Sequence, residues 1–182
     1  MMYDEVRVKL GVVAILEGLG LDLTDANFAD TPARVARAYR ELCRGLFDGG
    51  DDLVTTFPCS YGGMVIAKDI EAASLCPHHL LPVSYVVHVG YIPSGEALGL
   101  SKLPRLVQWL SARPVLQEDL TDDIADTVER VIRAEGVIVV VRGKHACVSC
   151  RGVRSNASFI TSAIRGEFVD GPRGEFLALV NG

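Results

Sequence analysis

Residues 82–92 read PVSYVVHVGYI, with a large apolar or aromatic side chain at every second position. In an extended chain, alternate side chains point to the same face, so this pattern predicts a strand with one buried face. The residues on that face are Val83, Tyr85, Val87, Val89 and Tyr91.

Further strands are predicted on both sides of this segment. Met64–Ile70 precedes it, and Val137–Val141 is an unbroken β-branched run of the kind found in buried strands. Ser158–Phe168 is expected to pair with Val137–Val141. The chain therefore contains two pairs of adjacent strands.

Helices are predicted before and between these pairs. Apolar residues three and four positions apart indicate helices over residues 4–19, 31–45, 101–111 and 118–135, and a short helix is expected at 172–180. Strands in adjacent pairs predict an α+β fold with an antiparallel sheet, because a doubly wound sheet alternates single strands with helices. The open edges of such a four-stranded sheet favour pairing with another subunit.

The composition narrows the class of protein. A chain of 182 residues that is 49% hydrophobic corresponds to one domain with a sizeable core. We expect no membrane span, because no uncharged apolar run reaches ~18 residues, and the net charge of −5 argues against nucleic acid as a partner. The N-terminus lacks the pattern of a secretory signal, and the cysteine count is odd at five, so we expect a reducing, cytoplasmic location.

Two short segments concentrate metal-binding residue types. Residues 76–79 read CPHH and residues 145–150 read HACVSC. Cys76 and His79 are three positions apart, as are Cys147 and Cys150, and a tight turn at this spacing directs both side chains at one tetrahedral ion. Mixed thiolate and imidazole ligands suit zinc.

The spacing leaves two kinds of zinc site open. All four of these residues could form a closed structural site. Alternatively, three of them ligate and the fourth position holds water, as in catalytic sites. The neighbouring His78 and His145 favour the second interpretation, because hydrolysis needs proton carriers beside the metal.

Basic residues also cluster in this acidic chain. They stand three positions apart in the pairs Arg34 and Arg37, Lys102 and Arg105, and Arg151 and Arg154. Each pair alone is typical of a solvated helix face, but together they indicate an anion pocket. The predicted helix start at Lys102 would add backbone N–H groups that favour phosphate.

Five motifs in order resemble those of GTP cyclohydrolase I. They are T-P-x-R at 31–34, C-x-H-H at 76–79, G-L-S-K-L-x-R at 99–105, R-P-x-x-Q-E at 113–118 and H-x-C-x3-R-G at 145–152. The resemblance extends from about Thr31 to the C-terminus. It implies the tunnelling fold, in which ββααββ units join into rings, and a homodecamer of two stacked pentamers with active sites between subunits. Within a single domain, we expect an N-terminal helical region at 1–50 and a catalytic tunnelling-fold region at 51–182.

The resemblance also implies a reaction and its metal. GTP and water would give 7,8-dihydroneopterin 3′-triphosphate and formate, the first step towards folate or biopterin. Cys76, His79 and Cys147 would ligate Zn²⁺, and a water at the fourth position would attack C8 of the purine. His78 and His145 would transfer protons.

The remaining motif residues would bind the substrate. Glu118 would accept hydrogen bonds from guanine, Gln117 would line the base pocket and Ser101 would lie at the ribose. The triphosphate would be held by Lys102, Arg105, Arg151, Arg34 and Arg37, the last two from a neighbouring subunit.

The chain departs from the family pattern at Pro77, where the family usually has Glu, and the family has no cysteine at the position of Cys150. Two alternatives therefore accompany the main interpretation. One is a divergent tunnelling-fold relative that acts on GTP or a pterin and gives a different or ring-opened product. The other is a non-catalytic module stabilised by zinc.

Overall fold

The computed structural model describes residues 2–50 and 53–182. Asp51 and Asp52, where the expected boundary between the two regions falls, lie outside the described residues. Two helices form the N-terminal part, α1 (Glu5–Gly18) and α2 (Thr31–Leu42), with a 3-10 turn at Arg44–Leu46. Both helices are confirmed, although α2 ends three residues before the predicted Gly45.

A four-stranded antiparallel sheet forms the centre of the molecule. Its strands are β2 (Val65–Leu75), β3 (Pro82–Ile92), β5 (Gly136–His145) and β6 (Phe159–Gly166), in the spatial order β2-β3-β5-β6. The strand predicted at 82–92 has the bounds expected. A second sheet, which the sequence did not predict, pairs β1 (Thr56–Pro58) with β4 (Glu96–Leu98); three-residue strands are too short to show alternation.

Helices α3 (Lys102–Ser111) and α4 (Gln117–Ile132) lie between β3 and β5 in the chain. The order β2-β3-α3-α4-β5-β6 is the ββααββ order expected. Both helices pack on the sheet face that carries Val83, Val87 and Val139, and this contact forms the main core. On the other face, α6 (Arg173–Asn181) packs Phe176 against the strands in a smaller core.

Strand β5 extends four residues beyond the predicted Val141, and two further predicted boundaries were wrong for local reasons. Helix α4 ends at Ile132 because Arg133 adopts a left-handed conformation with φ of 49°, and Gly136 begins β5. Strand β2 continues five residues beyond the predicted Ile70. A bulge between Ala67 and Ile70, with Asp69 at φ of 59°, interrupts the alternation that marks a strand. Among the described residues, no helix is long and apolar enough to span a membrane.

Candidate active site

The segment 76–79 forms the turn of the β2-β3 hairpin. The backbone N–H of Cys76 donates to the oxygen of Leu81 at 2.8 Å, and the N–H of Leu80 donates back to the oxygen of Cys76 at 2.8 Å. Pro77 disfavours a helical conformation at Cys76, and Leu80 closes the turn with a φ of 54°. This turn brings Sγ of Cys76 to 3.6 Å from Nδ1 of His79.

The second segment lies at the end of β5, next to this turn. Helix α5 (Ala146–Ser149) is a single turn that carries Cys147. Ligand atoms of Cys76, His79 and Cys147 lie within 4.8 Å of one another. Cys150 is exposed and is not part of this cluster.

This donor set fits zinc. On a tetrahedral zinc ion, one sulfur and one nitrogen ligand are about 3.5 Å apart, given the usual zinc–ligand distances. The measured 3.6 Å between Cys76 and His79 is close to that value. Burial raises the pKa of the Cys147 thiol, and the neighbouring Cys76 raises it further, so the Cys147 sulfur retains a proton that a metal ion would displace.

Gln117 and His145 form a buried polar network beside the cluster. Nε2 of Gln117 lies within hydrogen-bond distance of the oxygens of Val141 (3.1 Å) and Phe159 (3.0 Å) and of Oγ1 of Thr161 (3.2 Å). Because backbone oxygens only accept, this end of the amide is the NH₂ group. Oε1 of Gln117 therefore faces Nε2 of His145, at 2.9 Å.

Two threonines complete the network. Oγ1 of Thr121 donates to the backbone oxygen of Gln117 at 2.7 Å, and the hydroxyls of Thr121 and Thr161 are 2.6 Å apart. Because the hydroxyl proton of Thr121 is donated to Gln117, the hydroxyl of Thr161 must donate to Oγ1 of Thr121. Oγ1 of Thr161 can then accept a hydrogen bond from Nε2 of Gln117. Each polar group in the network has a partner, which fixes the orientation of Gln117.

Two aromatic rings enclose the imidazole of His145. Tyr85 and Phe159 meet it edge to face, with ring centroids 6.1 Å and 5.5 Å away. This burial lowers the pKa of His145, and the carboxylate of Glu118 opposes the shift in part. Glu118, an exposed residue in the first turn of α4, therefore lies within electrostatic range of the imidazole.

Gly143 provides the space for this arrangement. A Cβ at this position would collide with Oε1 of Gln117 and would lie 2.9 Å from Cε1 of Tyr85 and 3.0 Å from Nε2 of His145. The sequence analysis did not identify Gly143 or Thr161, and it placed Tyr85 on the buried face of a strand without a role in the site. No local motif marks them, and their importance arises from pairing across the sheet.

Arg151 lies over the cluster. Its Nη1 is 2.8 Å from Nε2 of His79, and because a guanidinium only donates, Nε2 is the acceptor. His78 is exposed beside it, with Nδ1 at 3.9 Å from Sγ of Cys76.

The other anion-binding candidates lie elsewhere in the chain. The link between α3 and α4 passes beside Leu75, the residue before Cys76, since the N–H of Val115 donates to the oxygen of Leu75 at 3.4 Å. Ser101 and Lys102 stand at the other end of α3, whose ten residues span about 15 Å, and Arg105 lies one turn further along the helix. Arg34 and Arg37 are exposed on α2, where Arg34 pairs with Asp30 at 3.5 Å.

The chain matches the family model described as GTP cyclohydrolase I over residues 8–181. It is 46% identical to a GTP cyclohydrolase 1 of Streptomyces coelicolor over 98% of this chain and 91% of the relative. It is 42% identical to one of Clostridium perfringens over 93% and 92%. A solved structure of an archaeosine synthase QueF-Like shares 23% identity and a TM-score of 0.45 over 58% of this chain and 96% of that one, a likeness too weak to support an inference.

The family model covers residues 8–181, and both relatives are more than 40% identical over more than nine tenths of this chain. The chain belongs to the GTP cyclohydrolase I family.

Proposed function

We propose that this chain is a zinc-dependent GTP cyclohydrolase I that converts GTP and water to 7,8-dihydroneopterin 3′-triphosphate and formate. The observation that carries the proposal is the position of the His145–Gln117 pair beside the cluster of Cys76, His79 and Cys147. The three clustered residues would hold the metal, and Cys150 would remain outside its ligand set. A bound zinc ion would supply Lewis-acid activation of water for attack at C8 of the purine.

His145 is suited to accept and return a proton at a defined atom. Because Oε1 of Gln117 accepts from Nε2 of His145, the imidazole proton resides on Nε2 and the lone pair on Nδ1. Burial favours this neutral form. We therefore assign Gln117 to positioning His145 rather than to contacting the base, since its amide is fully used inside the protein and the residue is 4% exposed.

Guanine recognition falls to Glu118. Its carboxylate is exposed at the first turn of α4, within electrostatic range of His145. An ionised carboxylate accepts two hydrogen bonds, which matches the adjacent N–H donors on the edge of guanine. His78, exposed on the hairpin turn, is the second proton carrier in this proposal.

Arg151 links metal binding to the triphosphate. An imidazole that ligates a metal through Nδ1 keeps its proton on Nε2, so it cannot also accept a hydrogen bond from Arg151. Metal binding at His79 would therefore release the guanidinium, which can then bind a phosphate oxygen.

A second copy of the chain would complete the site. Lys102 begins α3 about 15 Å of helix before its last residue, and Arg105 stands about 9 Å before it, so the proposed contacts of Ser101, Lys102 and Arg105 with ribose and triphosphate fit a site shared between subunits. The open edge strands β2 and β6 support such an assembly, and β6 exposes Phe159 and Ile160. A decamer of two pentamers is our proposal, with Arg34 and Arg37 also contributed by a neighbour.

Residues 51–182 would carry the catalysis, and residues 1–50 would form an accessory helical region. The five cysteines are free thiols, which supports a location in the reducing cytoplasm. We propose that the product enters folate or a related pterin pathway.

Product analysis tests this function. The purified zinc-loaded protein is incubated with GTP, and mass spectrometry should detect dihydroneopterin triphosphate and formate. A ring-opened formamide product would instead favour the divergent relative. Pro77, which stands where the family usually has Glu, is the reason for considering that alternative. Absence of any product would favour a non-catalytic zinc module.

Matched variants test the residue roles. Cys147→Ser should lose zinc and turnover, whereas Cys150→Ser should keep both. His145→Ala should retain zinc and the folded structure but lose turnover. Zinc loss in Cys150→Ser would show that Cys150 is a fourth ligand, as in a closed structural site, and would contradict the proposal.

A further inference from the structure

Arg113 joins three elements at the link between α3 and α4. Its Nε donates to the backbone oxygen of Leu110 in the last turn of α3 at 3.0 Å, and its Nη2 forms an ion pair with the carboxylate of Asp123 on α4. Its own backbone oxygen accepts the hydroxyl of Ser74 on β2 at 2.7 Å. Arg113, a motif residue without a role in the proposed function so far, therefore connects two helices and the sheet.

The start of α4 depends on contacts of this kind. Leu116 occupies the N-cap position, and its apolar side chain cannot accept a hydrogen bond from the first backbone N–H groups of the helix. The link before it is attached to the end of β2, because Ser74 is fully buried and the N–H of Val115 donates to the oxygen of Leu75 at 3.4 Å. The link and the side chains of α4 therefore set the orientation of its first turn.

Two side-chain attachments hold this part of α4 on different sides. Gln117 fixes the side that faces the sheet, through its contacts with Val141, Phe159 and Thr161. Asp123 lies six positions later, about 120° around the helix axis and about 9 Å along it, where Arg113 pairs with it. Both partners of this ion pair are half-buried. Attachments at two angles and two heights fix the rotation of α4 about its axis.

The direction of Glu118 follows this rotation. Glu118 is exposed in the first turn of α4, and no hydrogen bond or ion pair with another described residue holds its carboxylate. Side chains reach about 5–6 Å from a helix axis, so a rotation of α4 by about 10° would move this carboxylate by about 1 Å. A shift of that size is enough to spoil the geometry of a hydrogen bond to a ligand.

We propose that Arg113, through its ion pair with Asp123, is a positioning residue for base recognition, because it holds α4 at the rotation that directs Glu118 to the N–H donors of guanine. The inference rests on the proposed function, in which Glu118 accepts hydrogen bonds from the base. Arg113 acts through the helix and does not touch the substrate.

The preference for GTP over inosine triphosphate tests this inference. Inosine triphosphate lacks the exocyclic amino group of guanine, so one of the two donors that Glu118 would read is missing. Asp123→Asn removes the charge of the pair at nearly constant size, and Arg113→Met removes the guanidinium but keeps an unbranched stem. The matched control is Asp126→Asn, which removes another ion pair of α4, with Arg165, eight positions beyond Glu118. The ratio of kcat/KM for the two nucleotides is measured for each protein, together with its zinc content.

We expect Asp123→Asn and Arg113→Met each to lose about 10-fold of the preference for GTP, the scale of a misplacement of about 1 Å. The loss should come mainly from a higher KM for GTP, because His145 and the metal ligands are held by other contacts. The double variant should be no worse than either single variant, since both substitutions break one contact. Asp126→Asn should keep the wild-type preference, and all variants should keep their zinc.

A wild-type ratio in Asp123→Asn would overturn the inference, and this half-exposed substitution decides the matter even if Arg113→Met does not fold. An equal loss of preference in Asp126→Asn would also overturn it, by showing that any loosening of α4 has the same effect. A wild-type protein that does not convert GTP would instead refute the proposed function.

Discussion

Oε1 of Gln117 and Nε2 of His145 are 2.9 Å apart, although the two residues are 28 positions apart in the chain. Gln117 begins α4 and His145 ends β5, so their contact joins a helix start to a strand end. Three acceptors around Nε2 of Gln117 fix the amide, and the amide in turn fixes the imidazole. The imidazole of His145 is thereby oriented before any ligand binds.

Replacement of Gln117 by methionine should separate positioning from metal binding. The apolar side chain removes the hydrogen bonds to the oxygens of Val141 and Phe159, so the free energy of unfolding should fall by about 1–3 kcal/mol. Turnover should fall by about 100-fold, because His145 loses its defined tautomer, whereas the zinc content should stay at the wild-type level. The control is Gln108→Met, which removes an exposed amide that bonds to Glu71 at 3.3 Å. A Gln117→Met enzyme with wild-type kcat would contradict the positioning role.

Gly143→Ala should damage the site more than the fold. The added methyl group collides with Gln117, and we expect a loss of about 1–3 kcal/mol in stability together with a loss of turnover in the remaining folded protein. Gly90→Ala is a control of similar strain, since its Cβ would lie 2.7 Å from Cδ2 of Phe176 in the smaller core. Turnover per folded molecule should be normal in Gly90→Ala. Equal turnover per folded molecule in the two variants would contradict a specific role for Gly143 in the site.

Arg151→Ala should affect zinc and GTP in opposite directions. The guanidinium stabilises the His79 tautomer that carries its proton on Nδ1, which metal binding through Nδ1 must reverse, and it adds a positive charge beside the cation. Its loss should therefore keep or increase zinc affinity. The KM for GTP should rise by about 10-fold, as expected for the loss of one charge-assisted hydrogen bond to phosphate. Lys144→Ala removes another exposed cation and serves as the control. Weaker zinc binding in Arg151→Ala would show that Arg151 supports the ligand instead.

His88 should make the metal-free protein less stable in mild acid. This residue is buried on β3, and its Nδ1 accepts the backbone N–H of Asp69 at 3.2 Å. Burial lowers the pKa of His88, while Asp69 raises it in part and Arg142 and Lys68 lower it further. The unfolded chain therefore takes up the proton first, and the free energy of unfolding should decline as the pH falls through about 6.5.

His88→Asn keeps an acceptor near Asp69 but cannot titrate in this range. Denaturant unfolding of the metal-free wild type and variant between pH 5 and 7.5 measures the difference. The variant should lose less stability on acidification than the wild type. Some dependence should remain, because the pKa of His145 is also lowered by burial. Identical slopes for the two proteins would exclude His88 as a contributor.

Much of the architecture was predictable from local patterns. The alternation in Pro82–Ile92 predicted β3 with its bounds, and the paired strands predicted an antiparallel α+β arrangement. The prediction was wrong where backbone conformation departed from the pattern. Arg133 ends α4 in a left-handed conformation, and the bulge at Asp69 hides half of β2.

The ligand segments were also visible in the chain, because cysteine and histidine three positions apart on a turn can reach one ion without help from distant residues. Local patterns were therefore enough to predict the residue types of a metal site and the order of the elements. Only the tertiary structure placed Gln117 on His145, paired Arg113 with Asp123 and separated Lys102 from the cluster along α3. These relationships depend on strand register and helix direction, which bring together residues far apart in the chain and leave no short-range periodicity to detect.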